Sequence, residues 1–331
     1  MGNTPQKKYD DKLDLPKDKH DDGFSFENLA IEGGGMRIVS AVGTISALDR
    51  HGVIKHLKRY AGTSAGGLLC LMLALGYTAD EIEKIIIKTN FSKFMDDTFG
   101  VIRDTVRFIN EYGIYRGDYL KDWVADLVEK KLGSKTSTFE DLYKKTGKEL
   151  YIYTVCVEDN ECCILSHKSS PKMELALATR MSMAVPYKFT AVKYEGKKYV
   201  DGGISHNYPL QQFDDDKNNY KTLGLKMMGS DEKRDNSIYH GKLKTDNIAA
   251  YSYALVEHML DTIERLRVTK GYWERTITVP TFDTDMLDFG MTTFEKCNLI
   301  KKGFYSCKHQ IEYFKIHKNF SNTDLCNLHK H

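Results

Sequence analysis

Hydrophobic and polar positions along this chain follow two periods. Phe26 to Ile31 is a short, mostly apolar run that Gly33-Gly34-Gly35 interrupts, after which Ile38, Ala41, Val42, Ile45 and Leu48 recur at helical spacing. This predicts a strand, a glycine loop and a helix. A second unit repeats the plan: Leu57 to Ala61 is short and extended, Gly62-Thr63-Ser64-Ala65-Gly66 turns, and Leu68 to Leu75 continues as a buried helix ended by Gly76. Two such units in tandem imply a parallel sheet covered by helices. Thr78 and Glu81 form a capping-box pattern opening a helix through Lys88, and Asp118 and Gly133 bracket another. Glu149 to Val157 and Cys162 to Ser166 read as paired strands, Lys188 to Val200 as extended chain ending at Asp201-Gly202-Gly203, and Tyr220 to Leu225 as a further strand. Beyond these, apolar stripes predict two long helices, one through Ile248, Tyr251, Leu255, Met259, Ile263 and Leu266, the other from Phe294 to Phe314.

Composition narrows the class. With 331 residues, 41% hydrophobic and 28% charged, the chain has the profile of a soluble globular protein with a sizeable core. Basic and acidic residues number 48 and 46, mixed along most of the chain, so there is no concentrated basic face for nucleic acid. Seven cysteines scattered through apolar runs argue against a disulfide framework and for a reducing compartment. Residues 1–25 are polar and of mixed charge, and are expected to form a flexible arm. The longest apolar run, Leu68 to Leu75, is far shorter than the ~20 residues that cross a bilayer.

The chemistry lies in three places. Gly62-Thr63-Ser64-Ala65-Gly66 fits G-x-S-x-G after a strand and before a helix, which is where a strained turn presents a serine oxygen clear of the backbone. Gly33-Gly34-Gly35 offers unobstructed N–H groups for an oxyanion, and lacks the Lys-Ser/Thr of a phosphate loop. Arg37 opposes the dipole of the helix it opens, which suggests either an anionic partner or simple solvation. The base for Ser64 is Asp201 or, in a triad, His206 or His167. Cys156, Cys162, Cys163 and His167 lack paired metal-ligand spacing, and Asp214-Asp215-Asp216 and Asp283 to Asp285 lack the pattern of a calcium loop.

Three blocks, Glu32 to Arg37, Gly62 to Gly67 and Asp201 to Pro209, resemble in that order the motifs of patatin-like phospholipases, and Ala178 to Pro186 is similar to the segment preceding the aspartate block. Ile38 departs from the pattern, which commonly has glycine there. The resemblance implies an α/β fold of three layers with a mainly parallel central sheet flanked by helices. It implies a catalytic domain over residues 26–225 and a mainly helical C-terminal extension over 226–331, packed on it. It implies a Ser-Asp dyad with Ser64 as nucleophile, Asp201 as base, and Gly33, Gly34, Gly35 and Arg37 as the oxyanion site, with no metal and no cofactor. The expected activity is phospholipase A-type cleavage of membrane phospholipids; lysophospholipids or triacylglycerols are alternative substrates, and lipid or partner binding without turnover is the alternative class. The implied partner is a lipid membrane, with a protein activator left open, and the expected location is the cytoplasm with transient membrane attachment. The lysines around Phe294 to Phe314 fit a helix packed on the core better than one resting on an anionic membrane.

Overall fold

The computed structural model describes residues 13–318 apart from 14, 18, 20–22, 25, 97–110, 215–218, 230–250, 253, 257, 260–261, 263–269 and 283. β1 (Asn28–Ile31) passes through the glycine loop and a 3-10 turn into α1 (Ile38–Arg50). β2 (Arg59–Thr63) enters α2 (Ser64–Ala74) with no intervening residue, and α3 (Ala79–Lys88) follows behind its expected cap, where Thr78 Oγ1 accepts the Glu81 N–H and Glu81 Oε2 accepts the Thr78 N–H. Next come β3 (Gly113–Tyr115), α4 (Asp118–Leu132), α5 (Phe139–Thr146), β4 (Glu149–Cys156), β5 (Glu161–Leu165) and α6 (Leu175–Ser182). The stretch expected to be one extended run over 188–200 is three short strands, β6 (Tyr187–Phe189), β7 (Val192–Tyr194) and β8 (Lys197–Asp201), because Glu195 and Gly196 turn at positive φ. α7 (Gly203–His206), β9 (Thr222–Met228), α8 (Lys270–Trp273), β10 (Thr276–Pro280) and α9 (Thr293–Lys318) complete the chain. The expected helix through Ile248 to Leu266 lies largely outside the described residues.

The main sheet has eight strands in the order β10-β9-β1-β2-β4-β8-β7, with β5 also on β4. β1, β2, β4, β9 and β10 are mutually parallel, whereas β5 and β8 run antiparallel to β4. Side chains alternate across it as the two-residue period requires. Leu29, Ile31, Tyr60, Leu150, Ile152, Leu223 and Leu225 point into the main core, which α1, α2 and α9 supply. Ala30, Ala61 and Tyr151 point the other way, under Tyr208, Leu210, Phe213 and Tyr272. Burial on both faces explains why these strands read as apolar runs rather than alternating ones.

The C-terminal third is built into this body. The expected boundary at residue 225 falls inside β9, and β10 adds a parallel strand from beyond it. α9 buries Cys297, Ile300, Phe304, Cys307 and Ile311, and it lies so close to α1 that a Cβ on Gly303 would stand 2.0 Å from the Ser40 carbonyl oxygen. The residues of the N-terminal arm that are described also depart from a free segment. Leu15 and Phe24 are buried, and the Pro16 carbonyl accepts Arg50 Nε at 3.1 Å.

Gly303→Ala improves helix propensity by about 1 kcal/mol, but its methyl collides with backbone that cannot swing aside. We expect the overlap to dominate, with a net loss of about 1–3 kcal/mol and a Tm lower by several degrees in thermal unfolding. An unchanged or raised Tm would contradict this close helix contact.

Candidate active site

The pairing register of β4 brings the expected residues together. β2 pairs with residues 149–153 of β4, β8 pairs with residues 154–156, and β5 pairs with residues 152–156. A strand has two edges, so β2 and β8 share one of them end to end, running in opposite directions. Thr63 is opposite Tyr153 and Asp201 opposite Thr154, so the residue after β2 and the last residue of β8 arrive face to face.

Ser64 occupies a sharp turn, with φ of +53° and only 7% exposure. A left-handed conformation at a non-glycine residue costs of order 1–3 kcal/mol and needs fixed surroundings. Here the Ser64 N–H donates to Ser182 Oγ at 2.8 Å, and Ser182 Oγ donates onward to the Tyr153 carbonyl at 2.6 Å. The glycine of the motif is required by close approach: a Cβ on Gly66 would lie 2.5 Å from the carbonyl oxygens of Ile31 and Glu32. α2 is buried along its whole length, so its dipole acts through a medium with little water. At its negative end the half-buried Lys148 ammonium donates to the Leu73 carbonyl at 2.8 Å, and desolvation lowers the pKa of that lysine.

Asp201 is 5% exposed, and its Oδ1 accepts the Gly203 N–H at 2.8 Å. Burial pushes its carboxyl up to about 7, opposed by the Gly203 N–H and by the Ser64 hydroxyl. Oδ2 has no partner at standard hydrogen-bond geometry among the described residues, so the Ser64 contact is a loose one. Contacts of this kind commonly tighten only when substrate binds. A serine hydroxyl facing a carboxyl that titrates near neutrality can pass its proton there.

The glycine loop crosses directly over this pair. A Cβ on Gly33 would be 3.2 Å from Ser64 Cβ. The four expected oxyanion residues differ in what they have to offer. The Gly33 N–H is taken by the Asn207 carbonyl at 3.0 Å, and Asn207 Nδ2 returns a bond to the Gly33 carbonyl at 3.1 Å. The N–H groups of Gly34 and Gly35 donate to no acceptor among the described residues, and Gly35 has a φ of +52°. Arg37 Nε donates to the Thr284 carbonyl at 2.9 Å. Glu32 anchors the loop's start: its carboxylate pairs with the buried Lys226 ammonium at 2.5 Å and accepts the Met227 N–H.

Of the two histidines, His206 lies close to the elbow through its backbone, its carbonyl accepting Thr63 Oγ1 at 2.7 Å. His206 Nδ1 is 3.1 Å from Ser205 Oγ with its ring against Tyr153, and His167 stacks on Tyr143. Cys70, Cys156, Cys162, Cys163, Cys297 and Cys307 are free thiols, and no cluster of three metal-ligating side chains occurs among the described residues. Ser182, Asn207 and the Glu32–Lys226 pair were not singled out by sequence reasoning. Ser182 and Asn207 stand inside the quoted motif blocks, but their partners lie 118 and 174 residues away.

A serine elbow beside a buried carboxyl, under a glycine loop whose Gly34 and Gly35 N–H groups meet no acceptor among the described residues, is an arrangement suited to acyl transfer. Residues 29–214 match the family model for patatin-like phospholipases, and the chain belongs to that family. Its relatives include uncharacterized protein R571 of Acanthamoeba polyphaga mimivirus, 28% identical over 287 residues, which span 86% of this chain and 93% of that protein. The probable lipid hydrolase 463L of Invertebrate iridescent virus 6 is 28% identical over 206 residues, 58% of this chain and 67% of that one. Among solved structures, VipD of Legionella pneumophila superposes with a TM-score of 0.62 at 17% identity, covering 88% of this chain and 67% of VipD. ExoU of Pseudomonas aeruginosa, in complex with SpcU, gives 0.53 at 17% identity over 89% of this chain and 53% of ExoU, so this chain spans about half of that protein. These structural likenesses concern the fold. Family membership supports a lipid-hydrolysing enzyme.

The Asp201 environment has a signed consequence for stability. Its folded pKa lies above the usual carboxylate value of 3.8, so the folded state keeps a proton that the unfolded state releases, and stability falls as pH rises from about 4 to about 7. The full cost is up to about 4 kcal/mol. Asp201→Asn, which retains an acceptor for Gly203, should therefore melt above the wild type at pH 8, with the gap closing towards pH 4. Wild-type kcat/KM should rise through about pH 7. A gap independent of pH, or full activity at pH 5, would contradict the assignment.

Proposed function

We propose that this protein is a lipid acyl hydrolase of phospholipase A type. Ser64 Oγ attacks the carbonyl carbon of a fatty-acyl ester while Asp201 takes the hydroxyl proton, and the N–H groups of Gly34 and Gly35 receive the developing oxyanion. The tetrahedral intermediate collapses as its glycerol-side oxygen leaves with the proton that Asp201 returns, and the acyl group stays on Ser64. Water, deprotonated by Asp201, then attacks the acyl-enzyme and releases the fatty acid, and the proton returns to Ser64. The Ala65 N–H, in the first turn of α2, is one of the donors that a helix start leaves unpaired and adds to the same pole.

The observation that carries this reading is the meeting of Ser64 with the buried Asp201 carboxyl at the shared edge of β4, where burial pushes that carboxyl's pKa up. A carboxylate of ordinary pKa would be too weak a base for a serine; burial raises its basicity without a histidine.

The test is mass spectrometry of fatty acids released from vesicles of phospholipid, from lysophospholipid and from emulsified triacylglycerol. We expect phospholipid to be cleaved, with release lost in Ser64→Ala and at least a tenth of it kept in His206→Ala. Release confined to lysophospholipid or triacylglycerol would move the substrate class while keeping the chemistry. Release that survives in Ser64→Ala would refute the mechanism.

A further inference from the structure

The glycine loop is held from two sides, and the second is supplied wholly by the part of the chain beyond the family match, which ends at residue 214. On the first side, Asn207 and the Glu32–Lys226 pair fix its beginning. On the second, residues 284–289, between β10 and α9, run across its end. The Met36 N–H donates to the Met286 carbonyl at 2.8 Å, and Arg37 Nε donates to the Thr284 carbonyl at 2.9 Å. Contact is tight enough that a Cβ on Gly35 would stand 2.2 Å from the Met286 oxygen. The segment is itself secured. The Leu287 N–H turns back onto Asp285 Oδ1 at 2.9 Å, and the buried Phe289 ring meets Phe94 and Phe189 at 6.4 and 6.0 Å between centroids. Ser92 Oγ donates to the Phe289 carbonyl at 3.0 Å.

We propose that residues 284–289 form a positioning strap that sets where the Gly34 and Gly35 N–H groups point, so that the oxyanion site of this enzyme is completed by its C-terminal third. This rests on the hydrolase reading above. Consecutive glycines have the least intrinsic preference for one conformation, and an oxyanion site works only when its donors are fixed before the charge appears. Bonds flank the two free N–H groups on both sides, and the strap supplies those that follow them. Arg37 on this account acts through Thr284, as a positioning residue.

The experiment compares wild type, Phe289→Ala and Phe289→Leu on two readouts of the same centre: kcat and KM for p-nitrophenyl butyrate, and the rate at which a fluorophosphonate modifies Ser64, located by peptide mass spectrometry. The ester is small and soluble, so membrane docking does not enter. Losing one oxyanion donor costs about 10²–10³ in kcat, and a loosened loop should cost roughly tenfold or more. We expect Phe289→Ala to lower kcat and the labelling rate together by about that factor, with KM within about threefold and the protein still folded at the assay temperature, and Phe289→Leu to recover most of both. If Phe289→Ala does not fold, Arg37→Met, at a half-buried position, should show the same paired loss. Folded variants that label and turn over at the wild-type rate would overturn the strap alone. A wild type that is not labelled at Ser64 would overturn the hydrolase reading, and the strap with it.

Discussion

Burying the Asp201 carboxyl is the constraint on which the rest of the arrangement depends. Taken out of water, the group is a far stronger base than an exposed aspartate, and it is also a standing cost to the fold. That cost is tolerable because the sheet leaves no choice about where the group goes. β8 ends where β2 ends, on one edge of β4, and among the described residues the carboxyl is compensated by the Gly203 N–H and more loosely by the Ser64 hydroxyl. Further hydrogen bonds would bring its pKa down again and spoil it as a base. On the proposed mechanism, the sparse solvation of Asp201 is what keeps it basic, and the surrounding structure carries the expense.

Ser64 presents the same bargain in backbone terms. Its positive φ is held by Ser182, which reaches from the end of α6 to bridge the elbow and β4. Ser64, Asp201 and the glycine loop thus come from the ends of three strands, β2, β8 and β1, at a common level of the sheet. Placement of ligand sites at strand ends is general for open α/β sheets. What is particular here is how the loop is pinned: Glu32 and Lys226 exchange a buried ion pair from adjacent strands, while the segment after β10 closes over Met36 and Arg37. Since removal of one partner of such a buried pair leaves an uncompensated charge, the two residues are tied to each other as well as to the site.

Much of this was legible in the sequence, for identifiable reasons. The elbow and the glycine loop are local events: a strand, a break and a helix occur within a dozen residues, and glycine records the close approach directly. The strand-ending Asp201 was readable because two glycines follow it. By contrast, the choice of Asp201 over His206 rested on family resemblance, and the register of β4, which sets Asp201 opposite Thr154 and Thr63 opposite Tyr153, is a long-range fact that no local pattern encodes. β10 escaped notice although Thr276, Ile277, Thr278 and Val279 alternate, since five residues between helical stretches give a weak signal. Arg37 was read as facing an anion or water, and the bond of its Nε to a backbone carbonyl almost 250 residues away is one that no local pattern encodes. Gly33 was placed among the donors from the run of three glycines and the family resemblance, and only the fold reveals that the Asn207 carbonyl takes its N–H.

The central claim is that an acyl group passes through Ser64 under the control of Asp201. It is tested most directly by mixing the enzyme with excess phospholipid vesicles at pH 8, quenching in acid within the first turnovers, and measuring the intact mass of the protein. The account predicts a species heavier by one fatty-acyl group, mapped to Ser64 after digestion, and absent from Asp201→Asn quenched at the same time. Fatty acid appearing with no acylated Ser64 at any time, or acylation of Asp201→Asn at the wild-type rate, would contradict it.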